Sequence, residues 1–192
     1  MTNAIATDHS DRIQPVALYD RLTGSPLGGS GAAATDLMGL VGSPATVLEL
    51  IPVLDTSAYA DGDLLFDATE LANFVRAAGK TALIVDLTVT DKDDQGVAFD
   101  LFTAYETVDF GTVNAAVSIS DADAPKVRRL CRVETADYID LGGVRSATVD
   151  NINRVVKPAD ASRSVFFAGV TRGAPTYTAS GLVLRFGIIW LN

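Results

Sequence analysis

The chain has 192 residues, enough for one domain, or one domain with an arm, to bury a core without disulfides or metal. Its 24 acidic residues against 15 Lys and Arg leave a net charge of −9, and such a surface repels phosphate and argues against nucleic-acid binding. One Cys, Cys131, excludes an internal disulfide, and one His, His9, leaves almost no material for a Cys–His zinc site or catalytic pair.

Hydrophobic residues make up 48% of the chain, much of it Ala and Val, which excludes disorder throughout and suggests surface hidden in a homo-oligomer, with a trimer as the expected state. There is no run of about 18 apolar residues, so no membrane-spanning helix is expected. Residues 1–12 are polar and acidic and do not read as a secretory signal.

Residues 1–45 differ from the rest. Between residues 22 and 42 lie Gly24, Gly28, Gly29, Gly31, Gly39 and Gly42 with Pro26, a composition that cannot bury enough apolar surface to hold its own backbone. The segment is expected to be an extended arm whose short apolar anchors dock on a neighbour. The anchor residues are Val16, Leu18 and Tyr19 in the first run and Leu37, Met38 and Leu40 in the second.

Residues 46–192 read as short β-rich runs separated by turns. Residues 47–54 open as a strand, with Pro52 marking an edge or an end, and residues 64–66 restart the apolar pattern after an Asp-Gly-Asp turn. Residues 70–78 are ambiguous: Asp67 and Glu70 have capping-box spacing and Leu71, Phe74 and Val75 suit a helix face, but the neighbouring strands favour strand. Residues 82–90 (ALIVDLTVT) place Val85, Leu87 and Val89 on one face. Residues 97–105 place Val97, Phe99, Leu101 and Thr103 on one face, and the polar turn 91–96 predicts a hairpin between the two runs.

Residues 111–120 carry Val113, Ala115, Val117 and Ile119 at period two, and residues 121–125 read as a turn. Strands are expected at 127–133, 137–141, 164–171 and 182–191, whereas 147–156 fits neither period. The apolar C-terminal run from Gly187 to Leu191 must be central in a sheet or buried in an interface. About eight strands separated by turns predict an all-β fold: a jelly-roll-like β-sandwich with an extended N-terminal arm.

Candidate chemistry is sparse. Asp91, Asp93 and Asp94 before Gly96 resemble the start of a calcium loop, but Gln95 stands at the fifth position in place of Asp or Asn and Phe102 at the twelfth in place of the required Glu, so a solvated turn is the better reading and no metal is expected. No G-x-S-x-G occurs, and Gly28-Gly29-Ser30-Gly31 lacks the Lys of a phosphate loop, so no catalytic residue and no cofactor are assigned. Cys131 sits in an apolar run and reads as core. Lys126, Arg128 and Arg132 form a basic stripe, Arg128 and Arg132 sharing a strand face by parity, that suits an acidic partner surface or merely blunts an edge strand.

Four segments resemble a family of tailed-bacteriophage virion proteins encoded among head and tail structural genes. They are ALIVDLTVTDKDDQGVAFDLF at 82–102, FGTVNAAVSISDADA at 110–124, DYIDLGG at 137–143 and TRGAPTYTASGL at 171–182. The resemblance runs from about residue 55 to the C-terminus and implies a non-enzymatic virion component assembled in the host cytoplasm. The resemblance does not choose between head and neck or tail; the expected role is a capsid decoration or cement protein whose partners are the major capsid protein or other virion proteins. A tail or fibre module binding a host receptor or glycan, through Tyr105, Phe110, Tyr138 and Tyr177 near predicted loops, is the alternative.

Overall fold

The computed structural model describes residues 45–191. The six arm anchors and His9 lie outside the described residues. Ten strands follow in chain order: β1 (Ala45–Leu50), β2 (Leu64–Leu71), β3 (Thr81–Asp91), β4 (Phe99–Ala104), β5 (Val127–Val133), β6 (Tyr138–Asp140), β7 (Arg145–Val149), β8 (Arg154–Val156), β9 (Val165–Thr171) and β10 (Leu182–Leu191). Two single 3-10 turns, Ala124–Lys126 and Thr135–Asp137, complete the regular structure of these residues.

The strands form two antiparallel sheets. One runs β1-β10-β3-β7-β6, with β8 also on β3, and the other runs β2-β9-β4-β5. β7 and β8 are one strand interrupted at residues 150–153: β7 pairs with the Leu87–Asp91 half of β3 and β8 with its Ala82–Ile84 half. With that strand counted once and β6 taken as an addition to it, the pairs nest. β1 pairs with β10, β2 with β9, β3 with β7 and β8, and β4 with β5. First strand against last, second against next to last, in two facing sheets, is the jelly roll.

This winding corrects the expected hairpin. Both of its strands exist, but β3 pairs with β10 and β7 while β4 pairs with β9 and β5. Residues 92–98 therefore cross from one sheet to the other. Asp91, fully buried, shapes the start of that crossing by accepting hydrogen bonds from the amides of Asp93 (3.0 Å) and Gly96 (2.7 Å). Gly96 has φ +58°, in the left-handed region that favours glycine, and a Cβ there would lie 2.7 Å from Cδ of Arg145, so any side chain would have to displace that of Arg145.

The faces of β3 also shift. Gly187 opposes Asp86 and Ile188 opposes Ile84, which leaves Val85 as the extra residue of a bulge. Ala82, Ile84, Leu87 and Val89 are buried, while Val85 leaves the expected Val85–Leu87–Val89 face. Its carbonyl accepts from Ile152 N at 2.9 Å, where the β7–β8 strand is interrupted.

Residues 111–120 are not a strand. Apart from an isolated bridge between Asp63 and Ala116, they cross the outer face of the second sheet, where Val113, Val117 and Ile119 pack on Leu64, Ala104, Phe110 and Ala168. Their period-two pattern records one side laid on an apolar face, which needs no ladder. Residues 72–80 are likewise turns, with Phe74 and Val75 fully buried, in place of the expected strand.

Between the sheets, Leu87, Leu184, Phe186 and Ile188 meet Phe66, Phe99, Leu101, Val165 and Phe167. The apolar run of β10 is central, flanked by β1 and β3, as its composition required. On β9, Gly169 shares the inward side with Val165 and Phe167, and a Cβ there would collide with the ring of the fully buried Phe66. Gly169→Ala is expected to cost about 1–3 kcal/mol by overpacking, read as a lower urea midpoint at unchanged slope.

Candidate functional site

The cations that the sequence singled out lie on and beside β5, which among the described residues pairs only with β4 and so forms an edge. Arg132 opposes Asp100, Cys131 opposes Leu101, Arg129 opposes Phe102 and Arg128 opposes Thr103. Leu130 is therefore the extra residue of a bulge, and the strand changes face across it. Simple alternation puts Arg128 and Arg132 together; the bulge separates them.

Arg132 falls on the outer face, where its Nε lies 3.1 Å from Oε1 of Glu134. Arg129 joins it, 3.4 Å from Oδ1 of the buried Asp100, whose Oδ2 accepts from Nε of Arg172 at 2.7 Å. Arg128 instead turns toward the mouth between the sheets. There it lines a cavity of ≈ 230 Å³ with Thr103, Tyr105, Lys126, Arg154 and Lys157. The geometry thus keeps Lys126 and Arg128 of the predicted stripe together, removes Arg132, and adds Arg154 and Lys157 from β8 and the residues after it.

The four cations differ in how far they are compensated. Lys126 Nζ lies 2.8 Å from Glu106 and 2.9 Å from Asp123, and these contacts raise its pKa while holding the Asp123 carboxyl below its ordinary value. Lys157 pairs with Asp160 at 2.6 Å, which lowers the pKa of that carboxyl. Arg128 and Arg154 have no ion-pair partner among the described residues. Arg154 and Lys157 escaped the sequence reading because they lie far from Arg128 along the chain, in a segment whose spacing fits neither strand nor helix.

Other predicted groups are occupied by the fold. Asp93 accepts from the amide (2.8 Å) and hydroxyl of Thr178, and Asp94 from Nε of Arg145 at 2.7 Å, so the acidic turn holds itself and its neighbours. Cys131 packs against the main core, and burial pushes its thiol pKa up to about 12, far from a reactive thiolate. Of the four loop aromatics, Phe110 and Tyr177 are buried and Tyr138 is half-buried, leaving Tyr105 exposed.

No protein-family model and no curated protein matches the chain. Among solved structures, it is similar to a chain of Desmodium yellow mottle tymovirus, with 9% identity over 98% of this chain and 93% of that one, at a TM-score of 0.27. At that score the similarity transfers neither fold nor function. The jelly roll rests on the strand pairing itself.

Proposed function

We propose that the chain is a non-enzymatic structural component of a virus particle, and specifically a decoration or cement protein on the head shell of a tailed phage. The observation that carries the reading is the nested pairing of its two sheets, an architecture used by viral shell domains and by lectins. Fold alone does not choose between such uses. The four segments resembling phage virion proteins tip the choice, and exposed apolar side chains on or beside both edge strands of the larger sheet support a binding role. Val47 on β1 is 65% exposed and Ile139 on β6 is 67% exposed.

On this reading the arm residues Val16, Leu18, Tyr19, Leu37, Met38 and Leu40 bind the major capsid protein or a sister subunit. Many copies, arranged as trimers, add their small binding energies to brace the shell. The glycan-binding alternative retains only Tyr105 as an exposed aromatic of the four it relied on.

Deleting residues 1–43 is expected to leave the melting transition of the β-domain intact and to abolish co-sedimentation with purified shells. Full decoration by the shortened chain would sink the arm's role. Quantitative mass spectrometry of intact particles tests the wider reading: on the order of hundreds of copies fits a symmetric head lattice, and about a dozen or fewer points to neck or tail.

A further inference from the structure

We propose that the mouth lined by Arg128 and Arg154 binds an extended acidic segment of another protein chain, the two guanidinium groups holding its carboxylates. The inference is independent of the virion reading.

Two arginines from different sheets line one cavity of ≈ 230 Å³, and neither has an ion-pair partner among the described residues. Their like charges repel, and a carboxylate between them removes the repulsion while accepting the paired N–H groups that a guanidinium presents. Thr103 lines the same cavity at 5% exposure, and its Oγ1 has no hydrogen-bond partner among the described residues. A buried hydroxyl left in that state is costly, and an entering polar group satisfies it.

Two further features favour a peptide over a phosphate. Among the described residues β5 pairs only with β4, and β8 only with β3, so each offers a backbone edge that no described strand covers to an extended chain. Val155, 55% exposed, and Tyr105, 40% exposed, border the mouth with apolar surface that alternate side chains of a peptide would cover.

The test uses the full chain and a fluorescein-labelled peptide of about ten residues alternating Glu and Val, with a Gln–Val peptide as control, by fluorescence anisotropy at about 50 and 300 mM salt. The Glu peptide is expected to bind more tightly than the Gln peptide and to weaken with salt. Arg128→Glu and Arg154→Glu should each weaken it about tenfold, the loss of one charge-assisted contact, and Arg132→Glu on the outer face should leave it within about twofold. Thr103→Val should weaken it without altering the salt dependence. Should a reversal variant fail to melt like the parent, Arg128→Gln and Arg154→Gln carry the same comparison. The proposal is overturned if the Glu and Gln peptides bind alike, if Arg132→Glu costs as much as the mouth variants, or if a short oligonucleotide binds more tightly than the peptide and is lost in the same variants.

Discussion

Phe186→Ala is expected to lower the free energy of unfolding by about 3–5 kcal/mol, among the largest effects of any single truncation in the domain. Phe186 is fully buried on the central strand β10 and stacks on Phe167 of the opposite sheet, with ring centroids 4.4 Å apart and planes 28° from parallel. The pair joins the two sheets at the middle of the core. Its removal leaves a cavity that cannot close, because neighbouring side chains such as Leu87, Leu101 and Phe66 hold the sheets apart. Phe186→Leu, which keeps most of the volume, should cost under about 2 kcal/mol. Urea denaturation with an unchanged slope measures both, and a cost for Ala below about 1 kcal/mol would contradict the packing of the two sheets across this pair.

Asp91→Ala is expected to cost about 2–4 kcal/mol, since it strips the acceptors from the amides of Asp93 and Gly96 at a fully buried position. Asp91→Asn keeps one carbonyl acceptor and should recover part of the loss. The pH dependence gives an independent check. Burial outweighs the amide hydrogen bonds and raises the Asp91 pKa above the ordinary carboxylate value. A carboxyl whose pKa is higher in the folded than in the unfolded chain contributes stability that is fully present below the unfolded value and is lost as pH rises through the folded value. The parent should therefore gain stability relative to Asp91→Asn as pH falls from neutral toward the ordinary carboxylate pKa. A gain in the opposite direction would mean that the amide bonds dominate at this site. Asp123, held low by Lys126, works the other way: its contribution is present above the ordinary value and fades as pH falls through its lowered one.

Much of the strand content was legible in the residues. The runs that became β3, β4, β5, β9 and β10 are apolar or alternating and bounded by turn chemistry, and the structure places strands on all of them. The burial of Phe99 and Leu101 on one face of β4, and of Val165 and Phe167 on one face of β9, follows directly from period two. Residues 111–120 misled for the same reason, because an extended chain lying on an apolar surface alternates whether or not it makes a ladder.

The candidate site was legible only in part. Lys126 and Arg128 were visible as charges near an edge strand, but the bulge at Leu130 carries no signature in the sequence, and that bulge decides which side Arg128 takes. Arg154 and Lys157 reach the same mouth through a pairing between β8 and β3 that connects residues about 70 positions apart.

By itself, the sequence determined that this chain builds β-strands around an apolar core and that its last strand must be covered. These are properties of composition and of two-residue periodicity, which act locally. Only the tertiary structure decided which strand lies beside which, turning an expected β3–β4 hairpin into a crossing between two sheets. Backbone pairing is nearly blind to residue identity, so partners are chosen by which arrangement buries Phe66, Phe167 and Phe186 together and leaves a buried Asp91 with its amides satisfied. Bulges then set which side chains face the mouth, and one of them separates Arg128 from Arg132, which alternation alone had placed together.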